Sequence, residues 1–283
     1  MRADRRGAGR YRRAVVAVVS FALTTAACRA SGPGLRGPDV PYVTTPQAVG
    51  DEMLTLAAVT ASDTVYDLGS GDGRLVIAAA RDFGARGVGV EIDPKLIQQS
   101  RENAQRAGVA ARTEFVWEDL FKVSVAPASV VTLYLLQELN LKLRPRLLAE
   151  LAPGARVVSH NFHMGEWAPD RTRRVRAPDG FHSVYLWVIP ADAGGAWTLT
   201  SGERAWTLTL RQRYQDLEGE LVTGDGRRPV TGRVAGRDVE LTADAPGPAT
   251  LRLHGRLDGD TARGTIEAGV PEAPAPWSAR RGG

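Results

Sequence analysis

The chain has 283 residues, of which 43% are hydrophobic and 24% charged, a composition typical of a folded globular protein rather than a disordered one. Its single cysteine excludes a disulfide-stabilised scaffold. The formal net charge is +4, but residues 1–13 contribute +5 from six arginines and one aspartate, which leaves −1 for the remainder. The basic character belongs to the N-terminus, so the sequence predicts no nucleic-acid partner.

The first 28 residues have the pattern of an export signal. Residues 14–27 are uncharged and mostly apolar, a stretch too short for an ordinary transmembrane helix but suited to a signal peptide. Small residues then precede the only cysteine, Cys28, and resemble the lipobox of bacterial lipoproteins. We therefore predict a signal peptide and lipobox at 1–28 and a Gly/Pro-rich linker at 29–40.

A genuine leader implies an exported lipoprotein that is anchored to the membrane by a lipid on Cys28. Two other interpretations of these residues stay open. They are a plain cleaved signal peptide, and a misassigned start codon that adds an unreal segment. Without a genuine leader, the protein is expected in the cytoplasm.

Between residues 41 and 190, short apolar runs alternate with amphipathic segments. Strands are predicted at 64–68, 87–92, 114–117, 129–135 and 155–160. Helices are predicted at 46–58, 75–84, 94–107 and 139–151, the last with a kink or boundary at Pro145. This alternation indicates an α/β domain with a Rossmann-like, doubly wound, mostly parallel sheet, whose ligand binds beyond the carboxyl ends of the strands.

The pattern of hydrophobic residues changes at about residue 191, where helical periodicity ends. Short alternating runs separated by Gly, Asp and Pro follow at 206–211, 218–222, 237–242, 249–253 and 262–267. They predict a small β-rich domain at 191–283, folded as an antiparallel β-meander or open barrel. No motif in this part indicates a function.

Chemistry is indicated by the segment DLGSGDGR at residues 67–74, between the first strand and the next helix. Gly69 and Gly71 allow a sharp turn and close approach to a ligand, and the helix start favours a negative group. Asp67 can accept a hydrogen bond from a ligand ammonium. Arg74 occupies the position of the third glycine of a dinucleotide-binding loop, which disfavours a nicotinamide dehydrogenase.

Two further carboxylates end the next two strands. Glu91 can accept hydrogen bonds from both hydroxyls of a ribose. Asp119, followed by apolar residues, can bind the amino group of an adenine. An amino-acid site, a ribose site and an adenine site at successive strand ends together predict S-adenosyl-L-methionine as the cofactor.

These residues carry a family resemblance. DLGSGDGR, the segment VGVEIDP at 88–94 and the strand-end Asp119 resemble class I S-adenosylmethionine-dependent methyltransferases. PYVTTP at 41–46 and LYLLQ at 133–137 are similar to the small protein-lysine methyltransferases related to the ATP synthase c-subunit lysine methyltransferase.

The resemblance implies methyl transfer to an amine acceptor, either a protein lysine or a small molecule, with Tyr42 and Thr45 near the cofactor. The predicted cofactor-binding residues are Tyr42, Thr45, Asp67, Gly69, Ser70, Gly71, Gly73, Glu91, Ile92, Asp119 and Leu120.

The methyl acceptor is expected to enter where the fourth strand ends. Tyr134 and Gln137 are the predicted catalytic residues, which would orient the amine. Further on, His160, His163 and Glu166 have the spacing of metal ligands. No additional strong ligand accompanies them, so we expect no metal and interpret this loop as facing the acceptor.

One alternative from a different class stays open. S-adenosylmethionine is made in the cytoplasm, whereas a signal peptide would export the chain. The protein could therefore be an exported, non-catalytic binding protein that uses a methyltransferase fold. The sequence does not indicate the oligomeric state.

Overall fold

The computed structural model describes residues 42–244, 250–268 and 274–282. The predicted signal peptide, lipobox with Cys28 and linker lie outside the described residues. Among the residues that are described, no helix combines the length and apolar character needed to cross a membrane.

The N-terminal part of the described chain contains a seven-stranded sheet, with the strand order β3-β2-β1-β4-β5-β7-β6. Its strands are β1 (Thr64–Leu68), β2 (Arg86–Glu91), β3 (Thr113–Trp117), β4 (Val130–Leu133), β5 (Arg156–His160), β6 (Arg171–Ala177) and β7 (Gly180–Val188). The first five are parallel to one another. The predicted mostly parallel, Rossmann-like sheet is thus confirmed. The middle one of the five parallel strands, β1, is flanked by β2 and β4, where the strand order reverses.

In the residues that the structure describes, four α-helices accompany the sheet. They are α1 (Gln47–Leu56), α2 (Arg74–Asp82), α3 (Pro94–Arg106) and α4 (Gln137–Glu150). The sequence explains where α3 begins, because the Asp93 carboxylate accepts from the Lys95 N–H at 2.8 Å and Pro94 is the first helical residue. The boundary expected at Pro145 is wrong, since α4 continues through it to Glu150. Pro145 is exposed and has no N–H to donate to the Leu141 carbonyl one turn earlier.

The hairpin of β6 and β7 was not predicted from the sequence. The β7 strand pairs antiparallel with β5, so that Val184 lies opposite His160. The turn between β6 and β7 therefore lies at the same edge of the sheet as the carboxyl ends of the parallel strands. This edge is where the α/β fold places its ligand.

The C-terminal strands close into an eight-stranded antiparallel barrel, in which each strand pairs with its sequence neighbours and β15 pairs with β8. The strands are β8 (Gly195–Ser201), β9 (Arg204–Arg213), β10 (Asp216–Thr223), β11 (Gly226–Ala235), β12 (Asp238–Asp244), β13 (Thr250–Asp258), β14 (Thr261–Ala268) and β15 (Ala275–Arg281). The antiparallel meander is confirmed, but it is closed rather than open. A buried cluster including Trp197, Leu217 and Trp277 lies inside, as in other barrels of this size that side chains can fill.

Aromatic and ionic contacts join the barrel to the sheet. Tyr214, between β9 and β10, stacks on Trp167 with 5.9 Å between ring centroids. The Trp187 indole N–H donates to the Trp167 carbonyl at 2.8 Å. Arg233 of β11 forms an ion pair with Asp170 at 2.6 Å. Aromatic rings bury a large apolar area, so the Tyr214–Trp167 stack is expected to stabilise this junction.

Candidate active site

The turn after β1 is built on glycines in the left-handed conformation. Gly69, Gly71 and Gly73 have φ angles of 85°, 53° and 79°, which L-residues with a Cβ rarely adopt. The N–H groups of Gly69 and Ser70 donate to the Val90 carbonyl at 2.8 and 3.0 Å. The turn is thus folded onto the end of β2. A Cβ at Gly69 would lie 3.1 Å from the Leu135 side chain. The absence of a Cβ therefore keeps the space between this turn and Leu135 open for a ligand.

The Glu91 carboxylate fastens the same turn. It accepts from the Gly71 N–H at 2.9 Å through Oε2, and from the Ile92 and Asp93 N–H groups at 2.8 and 3.0 Å through Oε1. Glu91 is 8% exposed and lines a cavity at the strand ends. A carboxylate offers about four acceptor sites, so hydroxyl donors of a ligand can still bind beside the three backbone donors.

Arg74 holds the chain segment before α1 against the turn. Its guanidinium pairs with Asp72 at 2.8 Å and donates to the Thr45 carbonyl at 2.9 Å. The ring of Tyr42 lies where a Cβ on Gly71 would project. Arg74, which replaces the third glycine of a dinucleotide-binding loop, therefore fixes residues 42–45 over the glycine turn.

The cavity collects residues from four strand ends and the segment before α1. It is lined by Tyr42, Val43, Gly69, Val90, Glu91, Ile92, Asp93, Leu96, Glu118, Asp119, Leu120, Tyr134, Leu135 and Leu139. Seven predicted site residues are in this lining, namely Tyr42, Gly69, Glu91, Ile92, Asp119, Leu120 and Tyr134. The buried Asp119 accepts from the Phe121 N–H at 2.9 Å, which fixes its carboxylate at the end of β3.

Several of the lining residues were not predicted from the sequence. Leu96 and Leu139 come from the first turns of α3 and α4, and Asp93 and Glu118 each flank a predicted carboxylate. The positions of the two leucines in the sequence could have predicted their place in the cavity. An apolar residue in the first helical turn after a parallel strand lies close to that strand's carboxyl end.

Other predicted residues lie behind the cavity lining. Gly73 caps α2, where a Cβ would lie 2.7 Å from Phe115 and 2.8 Å from Ser100, so close packing explains this glycine. The buried Ser70 hydroxyl lies 2.6 Å from a Cβ built on Gly89. Gly71 touches the site through its N–H on Glu91.

Gln137 is not at the cavity, although it was predicted to orient the acceptor. Its Oε1 accepts from the His163 N–H at 3.2 Å, and its Nε2 lies 3.1 Å from His163 Nδ1. The amide is thus engaged with the loop after β5. The three residues with metal-like spacing also diverge, because Glu166 pairs with Arg213 at 2.7 Å and His160 contacts His182. In the described part of the chain, no group of three potential metal ligands comes together.

Asp67 is buried at the end of β1, beneath the turn. Its carboxylate accepts from the Thr132 hydroxyl at 2.7 Å. Burial raises the pKa of Asp67 to about 7, with Glu91 and Asp72 adding to the increase and the Thr132 hydrogen bond opposing it. A proton on this carboxyl group is therefore held to a much higher pH than on an ordinary aspartate.

This pKa predicts a pH-dependent affinity for any ligand that pairs an ammonium with ionised Asp67. The affinity is expected to rise with pH up to about 7, by at most tenfold per pH unit, because below that pH binding must release the Asp67 proton. Calorimetric titrations between pH 5.5 and 8, in buffers of different ionisation enthalpy, measure the affinity and the number of protons released on binding. Asp67→Asn should weaken binding and abolish the proton release, and an unchanged release in that variant would contradict the assignment.

The Asp67 carboxyl group also makes the stability of the fold depend on pH, but stability falls as pH rises, whereas the ligand affinity increases. Since the folded-state pKa of Asp67 lies above the ordinary aspartate value of 3.8, its contribution to stability is present at acidic pH and is lost as pH rises through about 7.

Comparison with known proteins agrees with this geometry. The family model of the ANTKMT methyltransferase domain matches residues 67–171. A protein-lysine N-methyltransferase of Saccharolobus islandicus (strain REY15A) is 45% identical over 153 residues, covering 54% of this chain and 95% of the relative. The ATP synthase c-subunit lysine N-methyltransferase of Mus musculus is 38% identical over 130 residues, covering 46% of this chain and 51% of the relative.

A solved structure also matches part of the chain. It is a Salinibacter ruber protein described as an RNA methyltransferase, in complex with S-adenosyl-L-homocysteine. It is 55% identical, has a TM-score of 0.51, and covers 53% of this chain and 95% of that chain.

The residues present fit S-adenosyl-L-methionine, because the glycine turn leaves a cradle that a Cβ would narrow and two buried carboxylates end adjacent strands at the cavity. The chain therefore belongs to the class I S-adenosyl-L-methionine-dependent methyltransferases, in the family represented by the ANTKMT domain model and the Saccharolobus islandicus protein-lysine N-methyltransferase.

Proposed function

We propose that this chain methylates a lysine side chain of a protein. The observation that carries the proposal is the acceptor side of the cavity, which is lined by Tyr134 together with the apolar side chains of Leu135 and Leu139. The names of the Saccharolobus and mouse relatives support the same acceptor class.

The cofactor, when bound, supplies an electrophilic methyl group on a sulfonium. The chain's own residues must then hold the amine in line with that methyl group, and alignment of this kind can contribute about 7–11 kcal/mol. An apolar lining lowers the pKa of a bound lysine, which helps it lose the proton that blocks its lone pair. Burial, and then Asp179, raise the pKa of Tyr134, so its phenol stays neutral and can orient the amine by a hydrogen bond.

Transfer of a labelled methyl group tests the acceptor class. The full chain is incubated with S-adenosyl-L-methionine labelled in the methyl group and an extract of the organism that encodes it. We expect label that proteinase removes, ribonuclease leaves in place and mass spectrometry assigns to methyl-lysine. Glu114→Gln, in an exposed residue paired with Arg86, is the matched control for Glu91→Gln and should retain the transfer that Glu91→Gln loses.

Two other outcomes have a clear meaning in the same assay. Label that ribonuclease removes would overturn the protein acceptor in favour of RNA, the class given for the Salinibacter ruber protein. Saturable binding of S-adenosyl-L-homocysteine without label transfer would instead support the non-catalytic binding protein.

We also propose that the chain is an exported lipoprotein with its lipid on Cys28. The proposal is supported by the basic residues 1–13, the apolar stretch 14–27 and the position of the only cysteine. In cells grown with radiolabelled palmitate, the full chain should become labelled and Cys28→Ser should not. Equal labelling of the two, or labelling of neither, would overturn this proposal.

A further inference from the structure

A hydrogen-bonded chain of two histidines leads from beneath Tyr134 to the protein surface. The His160 ring, fully buried at the end of β5, stacks on Tyr134 with 3.8 Å between centroids and 28° between planes. His160 Nε2 lies 2.8 Å from His182 Nδ1, and His182 Nε2 lies 3.0 Å from the Asp179 carboxylate. Asp179 is exposed, in the turn between β6 and β7.

The partners of these rings set their tautomers. Asp179 has a pKa below its usual value, chiefly because of its hydrogen bond with His182, so its ionised carboxylate can only accept and His182 Nε2 carries the proton. His182 Nδ1 is assigned as an acceptor because the Asn161 Nδ2 group, which can only donate, lies 3.4 Å from it. His160 Nε2 consequently donates to His182, and His160 Nδ1 is left as the acceptor.

The accepting nitrogen of His160, Nδ1, faces the segment before α1. It lies 3.3 Å from the Thr45 hydroxyl, which can donate to it. Burial is the main cause that lowers the pKa of His160 to about 4. The ring that supports Tyr134 is therefore neutral, and it is fixed by one hydrogen bond at each nitrogen.

We propose that His160 is a positioning residue for methyl transfer, held by His182 and Asp179 in the single orientation that keeps Tyr134 at the acceptor side of the cavity. The inference rests on the proposed function, because it assigns His160 a role through Tyr134. It also gives the β6–β7 hairpin a purpose, since this hairpin brings both His182 and Asp179 to the carboxyl edge of the sheet.

Kinetics of three variants test the proposal. His160→Phe keeps a ring under Tyr134 but removes both hydrogen bonds, and we expect kcat to fall about tenfold to 100-fold while the Kd for S-adenosyl-L-homocysteine stays within about twofold. Asp179→Ala should lower kcat less, and Asp179→Asn, which retains an acceptor oxygen, should lose less than Asp179→Ala. The control is Asp225→Ala, another exposed hairpin aspartate with hydrogen bonds to its neighbours, which should match the unmodified chain.

A measurement without acceptor separates this inference from the proposed function. Nitrogen-15 chemical shifts of labelled histidines in the full chain should show His160 as the neutral Nε2–H tautomer, and Asp179→Ala should mix the two tautomers of this ring. Unchanged kcat in His160→Phe, or a protonated or Nδ1–H His160 in the unmodified chain, would overturn the positioning role. Failure of the unmodified chain to methylate proteins would overturn the proposed function and, with it, the role of His160 in methyl transfer. The histidine shifts would then still decide whether His182 and Asp179 hold His160 in one orientation.

Discussion

Replacing Glu91 by glutamine is expected to raise the Kd for S-adenosyl-L-homocysteine by roughly tenfold to 100-fold. The carboxylate accepts from three backbone N–H groups with two oxygens, whereas an amide has one acceptor oxygen and presents N–H groups to the remaining donors. The variant therefore loosens the glycine turn and loses acceptors for the ribose hydroxyls. Leaving a buried polar group unpaired costs about 1–3 kcal/mol, which corresponds to this change in Kd.

Calorimetric titration measures the effect, and Glu114→Gln serves as its control. Glu114 lies at the opposite end of β3 from the cavity, is exposed and pairs with Arg86 at 3.1 Å. Its variant should bind with unchanged affinity. An unchanged Kd in Glu91→Gln, with its thermal stability intact, would show that Glu91 does not hold the ligand.

Replacing Gly73 by alanine is expected to lower the free energy of unfolding by about 2–5 kcal/mol. The φ angle of 79° costs a residue with a Cβ roughly 1–2 kcal/mol. The new methyl group would also meet Phe115 and Ser100 at 2.7 and 2.8 Å, and overpacking of this kind typically costs about 1–3 kcal/mol. Chemical denaturation of the full chain measures the sum.

Gly108→Ala separates the two effects. Gly108 has a φ angle of 69°, but a Cβ there meets no atom within 4 Å, so its variant carries the backbone strain alone. Equal destabilisation of the two variants would remove the packing explanation for Gly73. A loss of S-adenosyl-L-homocysteine binding in Gly73→Ala without any loss of stability would restore Gly73 to the cofactor site.

The parallel half of the sheet could be predicted because its signals are local. Buried runs such as Thr64–Leu68 coincide with the observed strand, and Asp93 with Pro94 marks the start of α3 by capping chemistry that needs no partner. The glycine turn was also predictable, since glycine adopts its three positive φ angles more readily than any other residue.

The remaining features depend on contacts between distant parts of the chain. Strand β6, with the sequence RTRRVRA, is an edge strand whose side chains are mostly exposed, so it lacks the apolar alternation that marks a half-buried strand. Closure of the barrel requires β15 to pair with β8, about 80 residues earlier, which no local pattern encodes. The engagement of Gln137 with His163 and of His160 with His182 likewise depends on loop geometry.

A crystal structure of the full chain with S-adenosyl-L-homocysteine would decide whether the strand-end cavity is the cofactor site. We predict that the ribose hydroxyls contact Glu91, the adenine lies between Asp119 and Leu120, and the amino-acid part follows the turn at Gly69. Density for the ligand at the barrel, or in the cavity with its ribose away from Glu91, would show that these residues do not form the cofactor site.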